Sequence, residues 1–172
     1  MEFGCLVVLL GPPGSGKSCR CRRLLENGLG LYEEIEPILV KQFGTLEVFA
    51  SNRAKAIAYT EQFLRGQLSA ADGIVLMEST GHSDRAMLER LEGDFDVRYV
   101  RLDTPRVLCV ERVRTRARGR NISNDHQAAG RFHDFWTENT RENYQADLVV
   151  AGICDEDDVL EIGLWMNTLR DA

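Results

Sequence analysis

Eight residues near the start of the sequence have the types and the spacing of a phosphate-binding loop. The segment 11–18 reads GPPGSGKS and matches the pattern G-x-x-x-x-G-K-[ST] at every fixed position. Glycines let backbone N–H groups converge on phosphate oxygens, the lysine reaches the β- and γ-phosphates, and the last hydroxyl binds Mg²⁺. We therefore expect Lys17 to act in catalysis and Ser18 to bind a metal. The residues expected to hold a nucleotide are Gly11, Pro12, Pro13, Gly14, Ser15, Gly16, Lys17, Ser18 and Cys19.

A carboxylate follows the second strongly apolar run of the sequence. Residues 73–77 predict a strand, and Glu78 comes directly after it. Because ligands bind beyond the carboxyl ends of parallel strands, we expect Glu78 to lie beside the phosphate loop and to bind Mg²⁺. The alternative is a glutamate that caps a helix or closes a turn. Arg85, a few residues further on, is a candidate contact for a substrate anion, or else an arginine on a helix surface.

Arginines are concentrated in one segment of an otherwise acidic chain. They occupy positions 112, 114, 116, 118 and 120, and Arg112 and Arg116 share one face of a predicted helix. A loop with several guanidinium groups can close over a nucleotide, spread the charge of a transition state and exclude water. The segment therefore predicts a lid at about 112–130, in which Arg112 and Arg116 act on the nucleotide. The alternative is a solvated basic helix.

Strand and helix patterns alternate along the chain, which predicts βα units around a parallel sheet. The expected strands are 5–10, 73–77, 97–102 and 148–151, with a weaker one near 29–33. The expected helices are 17–26, 52–68, 84–91, 105–117, 125–144 and 157–169. These elements predict an α/β fold whose loops carry the candidate residues. The acidic run 155–158 is expected to be the solvated start of the last helix.

Size and charge restrict the class of protein. A chain of 172 residues with 44% hydrophobic residues is expected to form a single domain over 1–172. A net charge of −6 disfavours nucleic acid and anionic membranes as general partners, although an oligonucleotide substrate stays open. The longest apolar run is too short to cross a bilayer and no leader pattern occurs, so we expect no membrane partner and a cytoplasmic location. Five scattered cysteines indicate free thiols.

The motifs resemble those of a known group, the small P-loop kinases of the adenylate kinase-like fold. The group includes adenylate, shikimate and gluconate kinases, polynucleotide 5′-kinases, zeta toxins and chloramphenicol phosphotransferase. The resemblance covers essentially the whole chain, through segments 11–18 and 78–81, Arg112-x-x-x-Arg116 and the strand after Asp147. It implies a three-layer fold with a five-stranded parallel sheet, a flexible lid, and ATP with Mg²⁺ as the phosphoryl donor. It also implies that Arg112 or Arg116 lies over the adenine or the phosphates and that Gly152 lines the adenine site.

The chain departs from this group in the region expected to bind the acceptor, about residues 30–70. Members that phosphorylate a hydroxyl commonly carry an Asp after the second strand, which accepts the hydroxyl proton. Here the segment 32–37 reads YEEIEP, and Glu36 stands about where such a base would fall. A solvated acidic helix start is the alternative for Glu36. The candidate acceptor contacts are Glu33, Glu34, Arg53 and Arg85.

Aromatic residues are frequent near the predicted helix 125–144. Phe132, Phe135, Trp136 and Tyr144 follow steps that favour packing in the core over an aromatic acceptor pocket.

The sequence therefore predicts an ATP-dependent phosphotransferase that acts on a small-molecule acceptor, either a nucleotide or nucleoside or a hydroxyl compound. A monomer and a homodimer are both compatible with it. Two other functions stay open: a polynucleotide 5′-hydroxyl kinase, and an ATP-binding switch or toxin-like regulator. The first would need a basic tunnel, and the second would have less need of an arginine-rich lid. GTP also stays open as the donor, although the base-recognition motif N-K-x-D does not occur.

Overall fold

Five strands form one sheet at the centre of the molecule. The computed structural model describes residues 4–44, 51–115 and 126–170. The strands are β1 (Cys5–Leu10), β2 (Leu31–Tyr32), β3 (Ile74–Ser79), β4 (Val97–Leu102) and β5 (Leu148–Val150). Their order across the sheet is β2-β3-β1-β4-β5, and every pairing is parallel. The predicted fold class is thereby confirmed.

Helices cover both faces of this sheet. In the described ranges they are α1 (Lys17–Glu26), α2 (Ile35–Phe43), α3 (Arg53–Ala70), α4 (Arg85–Glu92), α5 (Arg106–Thr115), α6 (His126–Asn139) and α7 (Asp155–Arg170). A 3₁₀ turn, Arg141–Asn143, follows α6. None of the helices in the described part of the chain is both long and apolar enough to cross a membrane.

The strand β1 is buried on both sides and divides the core into two apolar clusters. Its odd-numbered side chains join a cluster with α1 and α7, and its even-numbered side chains join a cluster with α3 and α4. A strand covered on both faces has a continuous apolar sequence, because neither set of side chains meets water.

The helix α2 is not predicted from the sequence. Its first turn contains Glu36 and Pro37, a segment for which the sequence leaves a solvated acidic helix start as one alternative. Proline is tolerated there because the first N–H groups of a helix have no partner within the helix.

The carboxyl ends of β1 and β3 lie side by side. Leu10 pairs with Ser79 in the sheet, and the N–H of Gly11 donates to the carbonyl of Ser79 at 3.3 Å. The loops that follow the two strands therefore leave the sheet at the same edge, where open parallel sheets bind their ligands.

The acidic start of α7 is not solvated throughout, so that expectation is wrong at Asp158. The Asp158 side chain is buried and binds the guanidinium of Arg20. Asp158 is buried because α7 packs against α1, and the first turn of α7 there meets the buried guanidinium of Arg20.

Candidate active site

The segment 11–18 forms a tight loop between β1 and α1. Gly14 and Gly16 have φ values of 83° and 91°, in the left-handed region that glycine adopts without steric cost. Both positions are also closely packed. A Cβ at Gly14 would overlap the backbone of Cys109 on α5, and a Cβ at Gly16 would overlap the guanidinium of Arg20. Backbone conformation and packing therefore both require glycine here.

Lys17 is the first residue of α1, and its ammonium group lies within the loop. It donates to the carbonyl oxygens of Gly11 at 2.8 Å and Pro12 at 3.0 Å. The first-turn N–H groups of α1 have no partner within the helix, and the helix dipole favours an anion at this end. The loop thus combines an ammonium group with a helix N-terminus, which suits a chain of phosphates.

Glu78, at the end of β3, joins the phosphate loop to β2. Its Oε2 accepts a hydrogen bond from the hydroxyl of Ser18 at 2.6 Å, and its Oε1 accepts one from the hydroxyl of Tyr32 at 2.6 Å. Burial and the negative charge of Glu78 raise the pKa of Tyr32 well above its usual value, so this hydroxyl stays a donor. Ser18 and Glu78 present the oxygen ligands that Mg²⁺ prefers. Metal binding by this pair stays a prediction.

A buried arginine holds the back of the loop. Arg20 donates through Nη1 to the carbonyls of Ser15 at 3.2 Å and Gly16 at 3.1 Å. Its Nε donates to Asp158 at 3.0 Å, and its Nη1 pairs with Asp155 at 3.0 Å. These contacts connect the phosphate loop to the first turn of α7, through a guanidinium that is fully buried.

Arg112 connects the phosphate loop with the turn after β5. Its guanidinium donates to the carbonyls of Ser15 at 3.2 Å, Gly152 at 3.1 Å and Ile153 at 3.2 Å. Gly152 has a φ of 69°, and a Cβ there would overlap the side chain of Thr104. The structure therefore brings together the loop, Arg112 and Gly152, all three predicted to contact the nucleotide. That role stays a prediction.

The side chain of Cys19 points to α7. Its thiol donates to Oδ2 of Asp155 at 3.3 Å, and burial and this carboxylate raise the pKa of the thiol. A contribution of Cys19 to phosphate binding would therefore come from its backbone N–H in the first turn of α1.

The three candidate glutamates lie after β2. Glu33 follows the strand directly, and Glu34 lies 3.5 Å from Nη1 of Arg22. Glu36 is in the first turn of α2 and its side chain is exposed. Its role as a base stays a prediction.

The two candidate arginines of the acceptor region have different surroundings. Arg53 begins α3 and donates to the hydroxyl of Ser83, in the loop after β3. Arg85 pairs with Glu89 one turn further along α4, at 2.9 Å, on the surface of the helix. Of these two guanidinium groups, that of Arg53 is the one bound to the loop after β3.

The predicted lid is described only in part. Arg112 and Arg114 belong to α5, and Arg114 pairs with Glu111 at 2.8 Å on the helix surface. Arg116 lies outside the described residues, so its predicted role is not tested by the structure.

Sequence reasoning did not single out Tyr32 or Arg20. Tyr32 is the last residue of an edge strand of two residues, too short for a pattern to define its end. Arg20 does carry a signal, because α1 buries positions 17, 20, 21 and 24, a helical stripe on which an arginine must find a partner.

The parallel sheet, the loop at segment 11–18 and the shared edge of β1 and β3 define a P-loop protein with the architecture of small kinases. The chain belongs to the AAA domain family, whose model matches residues 6–131. No curated protein matches the chain significantly in sequence. The fold implied by the resemblance to small P-loop kinases is confirmed.

Solved kinases share this fold over nearly their whole length. Shikimate kinase from Acinetobacter baumannii in complex with shikimate is 19% identical with a TM-score of 0.67, over 98% of this chain and 96% of that one. A gluconokinase from Sinorhizobium meliloti is 18% identical with a TM-score of 0.61, over 99% and 96%. APS kinase from Mycobacterium tuberculosis, in complex with AMPPNP and APS, is 20% identical with a TM-score of 0.60, over 98% and 99%.

Proposed function

We propose that the protein transfers the γ-phosphoryl group of ATP to a small-molecule acceptor, either a nucleotide or nucleoside or a hydroxyl compound. The observation that carries the proposal is the 2.6 Å contact between Ser18 and Glu78, beside the ammonium group of Lys17. It joins a phosphate site to a pair of oxygen ligands suited to Mg²⁺. The solved structures that share this fold include shikimate kinase, gluconokinase and APS kinase, which supports phosphoryl transfer.

The residues of the site suit a reaction that depends on positioning and charge. The acceptor oxygen forms a bond to the γ-phosphorus, the bond from that phosphorus to the bridging oxygen breaks, and ADP leaves. Ser18 and Glu78 would hold Mg²⁺, which would neutralise charge on the phosphates. Lys17 leaves its loop carbonyls to neutralise the β- and γ-phosphates, and the loop amides hold their oxygens.

Two further segments complete the proposed site. Arg112 and the turn at Gly152 lie beside the phosphate loop, where they would contact the nucleotide, and Arg116 of the lid at about 112–130 would close over it. The region of about 30–70 would hold the acceptor. If the acceptor group is a hydroxyl, its proton goes to Glu36; if it is a phosphate, no base is needed.

The test is phosphoryl transfer by Lys17→Ala. We expect this variant to lose acceptor-stimulated ADP release by at least 100-fold, because phosphoryl transfer depends on charge stabilisation at the γ-phosphate. The matched control is Arg23→Ala, which removes an exposed cation from the same helix and should leave turnover unchanged.

Far-UV circular dichroism and urea unfolding establish that both variants fold. A folded Lys17→Ala protein with the turnover of the unsubstituted protein would refute the proposal. ADP release that no acceptor stimulates would contradict a kinase and support a hydrolysing switch.

A further inference from the structure

Three aromatic rings cluster at the surface beside the loop that follows β3. The ring of His82 lies 4.9 Å from that of Phe135 and 6.3 Å from that of Phe132, edge to face, and the two phenylalanine rings are 6.0 Å apart. We call these three residues the aromatic platform. His82 is exposed, and Phe135 is 38% exposed. The spacing of the aromatic residues along the helix predicted that they pack in the core. The structure confirms this for Trp136, which is buried, but not for Phe135.

The loop under this platform is fixed from within. The indole N–H of Trp136 donates to the carbonyl of Thr80 at 2.8 Å, and the hydroxyl of Tyr144 donates to that of Gly81 at 2.6 Å. The N–H of Gly81 donates to the hydroxyl of Ser79 at 2.8 Å. Because these hydrogen bonds already order the loop, a ligand that binds to the ring of His82 orders little additional backbone.

The platform lies close to the phosphate site along the chain. Glu78 contacts Ser18 at 2.6 Å, and His82 comes four residues after Glu78. Four residues span at most about 14 Å, so the backbone of His82 lies within that distance of Glu78, a length that a small two-ended acceptor could span.

A guanidinium group stands next to the platform. Arg53 donates to the hydroxyl of Ser83, the residue after His82, and its own side chain is exposed at the start of α3. A guanidinium binds phosphate or carboxylate through two parallel hydrogen bonds. The contact with Ser83 therefore places the exposed guanidinium of Arg53 beside the loop that carries His82, the ring that contacts Phe132 and Phe135.

We propose that the platform and Arg53 form an acceptor subsite for a small molecule with a planar aromatic ring and an anionic group, the class to which nucleoside monophosphates belong. The inference rests on the proposed function and narrows its acceptor. The ring packs on Phe135 and His82, and Arg53 binds the anion. A polyol acid offers no ring for the platform, and a nucleoside offers no anion for Arg53.

The test compares acceptors with ATP labelled at the γ-phosphate, by chromatography of the products. The probes are AMP and CMP, which have ring and anion; adenosine and cytidine, which have the ring; and gluconate and shikimate, which have the anion. Calorimetry with a non-hydrolysable ATP analogue and Mg²⁺, on the same protein, tests the donor site separately. Binding of AMP and CMP is measured with that analogue saturating.

The inference predicts label on AMP or CMP in preference to the other four probes. Phe135→Leu should raise the KM for that acceptor about 5- to 150-fold, the usual effect of losing one stacking ring, with the KM for ATP unchanged. Phe135→Tyr keeps the ring and should keep the KM. The matched control is Phe95→Leu, which removes a ring just before β4, at the opposite edge of the sheet, and should not change the KM for the acceptor.

Three results would overturn the inference. Label on gluconate or shikimate in preference to AMP and CMP, with the ATP analogue bound, would leave the proposed function in place and remove this acceptor class. Failure of AMP and CMP to bind or to accept label would do the same, as would preferential labelling of a 5′-hydroxyl oligonucleotide. Failure of the analogue to bind would instead remove the proposed function, and the inference with it.

Discussion

Replacement of Arg20 is the sharpest structural test, because this charged side chain is fully buried. It joins Asp155 and Asp158 of α7 to the carbonyls of Ser15 and Gly16 in the phosphate loop. Arg20→Met keeps much of the side-chain volume and leaves the carboxylate of Asp158, only 4% exposed, without its cation. Breaking a buried pair in this way costs about 3 to 5 kcal/mol.

We expect urea unfolding, followed by circular dichroism, to show a loss of that size in the free energy of unfolding for Arg20→Met. The matched control is Arg23→Met, whose exposed side chain lies 3.9 Å from Glu156. It should change the free energy by about 0.5 kcal/mol or less, because exposed pairs contribute little.

Removing both buried charges separates the pair from general packing. The double variant Arg20→Met/Asp158→Leu should recover more than half of the loss, since a buried pair replaced by apolar groups is often neutral. Equal stabilities for Arg20→Met and Arg23→Met would show that the buried contacts of Arg20 do not stabilise the fold.

Two further predictions concern tyrosine hydroxyl groups. Tyr32→Phe removes the hydroxyl that donates to Oε1 of Glu78. It should raise the Mg²⁺ concentration for half-maximal activity about 10- to 100-fold, the usual effect of removing a hydrogen bond to a metal-binding residue. An unchanged Mg²⁺ titration would contradict this role of Tyr32. Burial, with the hydrogen bond to Glu92, raises the pKa of Tyr99 above its usual value of 10.0, so stability is full below about pH 10 and falls as the pH rises above it. At pH 10.5 one such tyrosine lowers the free energy of unfolding by about 0.8 kcal/mol relative to pH 8. In urea unfolding at the two pH values, Tyr99→Phe should therefore lose about 0.8 kcal/mol less than the unsubstituted protein. Equal losses for the two proteins would show that Tyr99 does not contribute.

Elements defined by local pattern could be predicted from the sequence. The bounds of β1, β4 and α1 follow from a continuous apolar run, an alternating run, and the loop that must precede a helix. The bounds of α2 could not be predicted, because Glu36 and Pro37 are compatible with a helix start as well as with a loop. The burial of Leu39 on this helix depends on tertiary packing.

Contacts between residues far apart in the sequence are the part of the candidate site that could not be predicted. The loop at 11–18 and the carboxylate at Glu78 follow from a motif and from the position rule for parallel strands, and the structure places Ser18 against Glu78. The pairing of Arg20 with Asp158 joins residues far apart in the chain, and no local pattern relates them. The acidic start of α7 has the composition of a solvated turn, so its burial depends on contact with α1, which the sequence does not display.

The exposure of Phe135 has the same origin. Helical periodicity shows that Phe132, Phe135 and Trp136 lie near one face of α6, but it does not show where the core ends and the surface begins. Trp136 is buried and donates to the carbonyl of Thr80, while the neighbouring Phe135 is 38% exposed. The distinction between a core ring and a ring that can meet a ligand therefore needed the three-dimensional arrangement.

The most direct test of the central claim is calorimetric titration of the protein with a non-hydrolysable ATP analogue, with and without Mg²⁺. We expect one binding site, tighter binding when Mg²⁺ is present, and a loss of affinity by an order of magnitude or more in Lys17→Ala. Absence of any Mg²⁺-dependent binding by the folded protein would contradict the central claim.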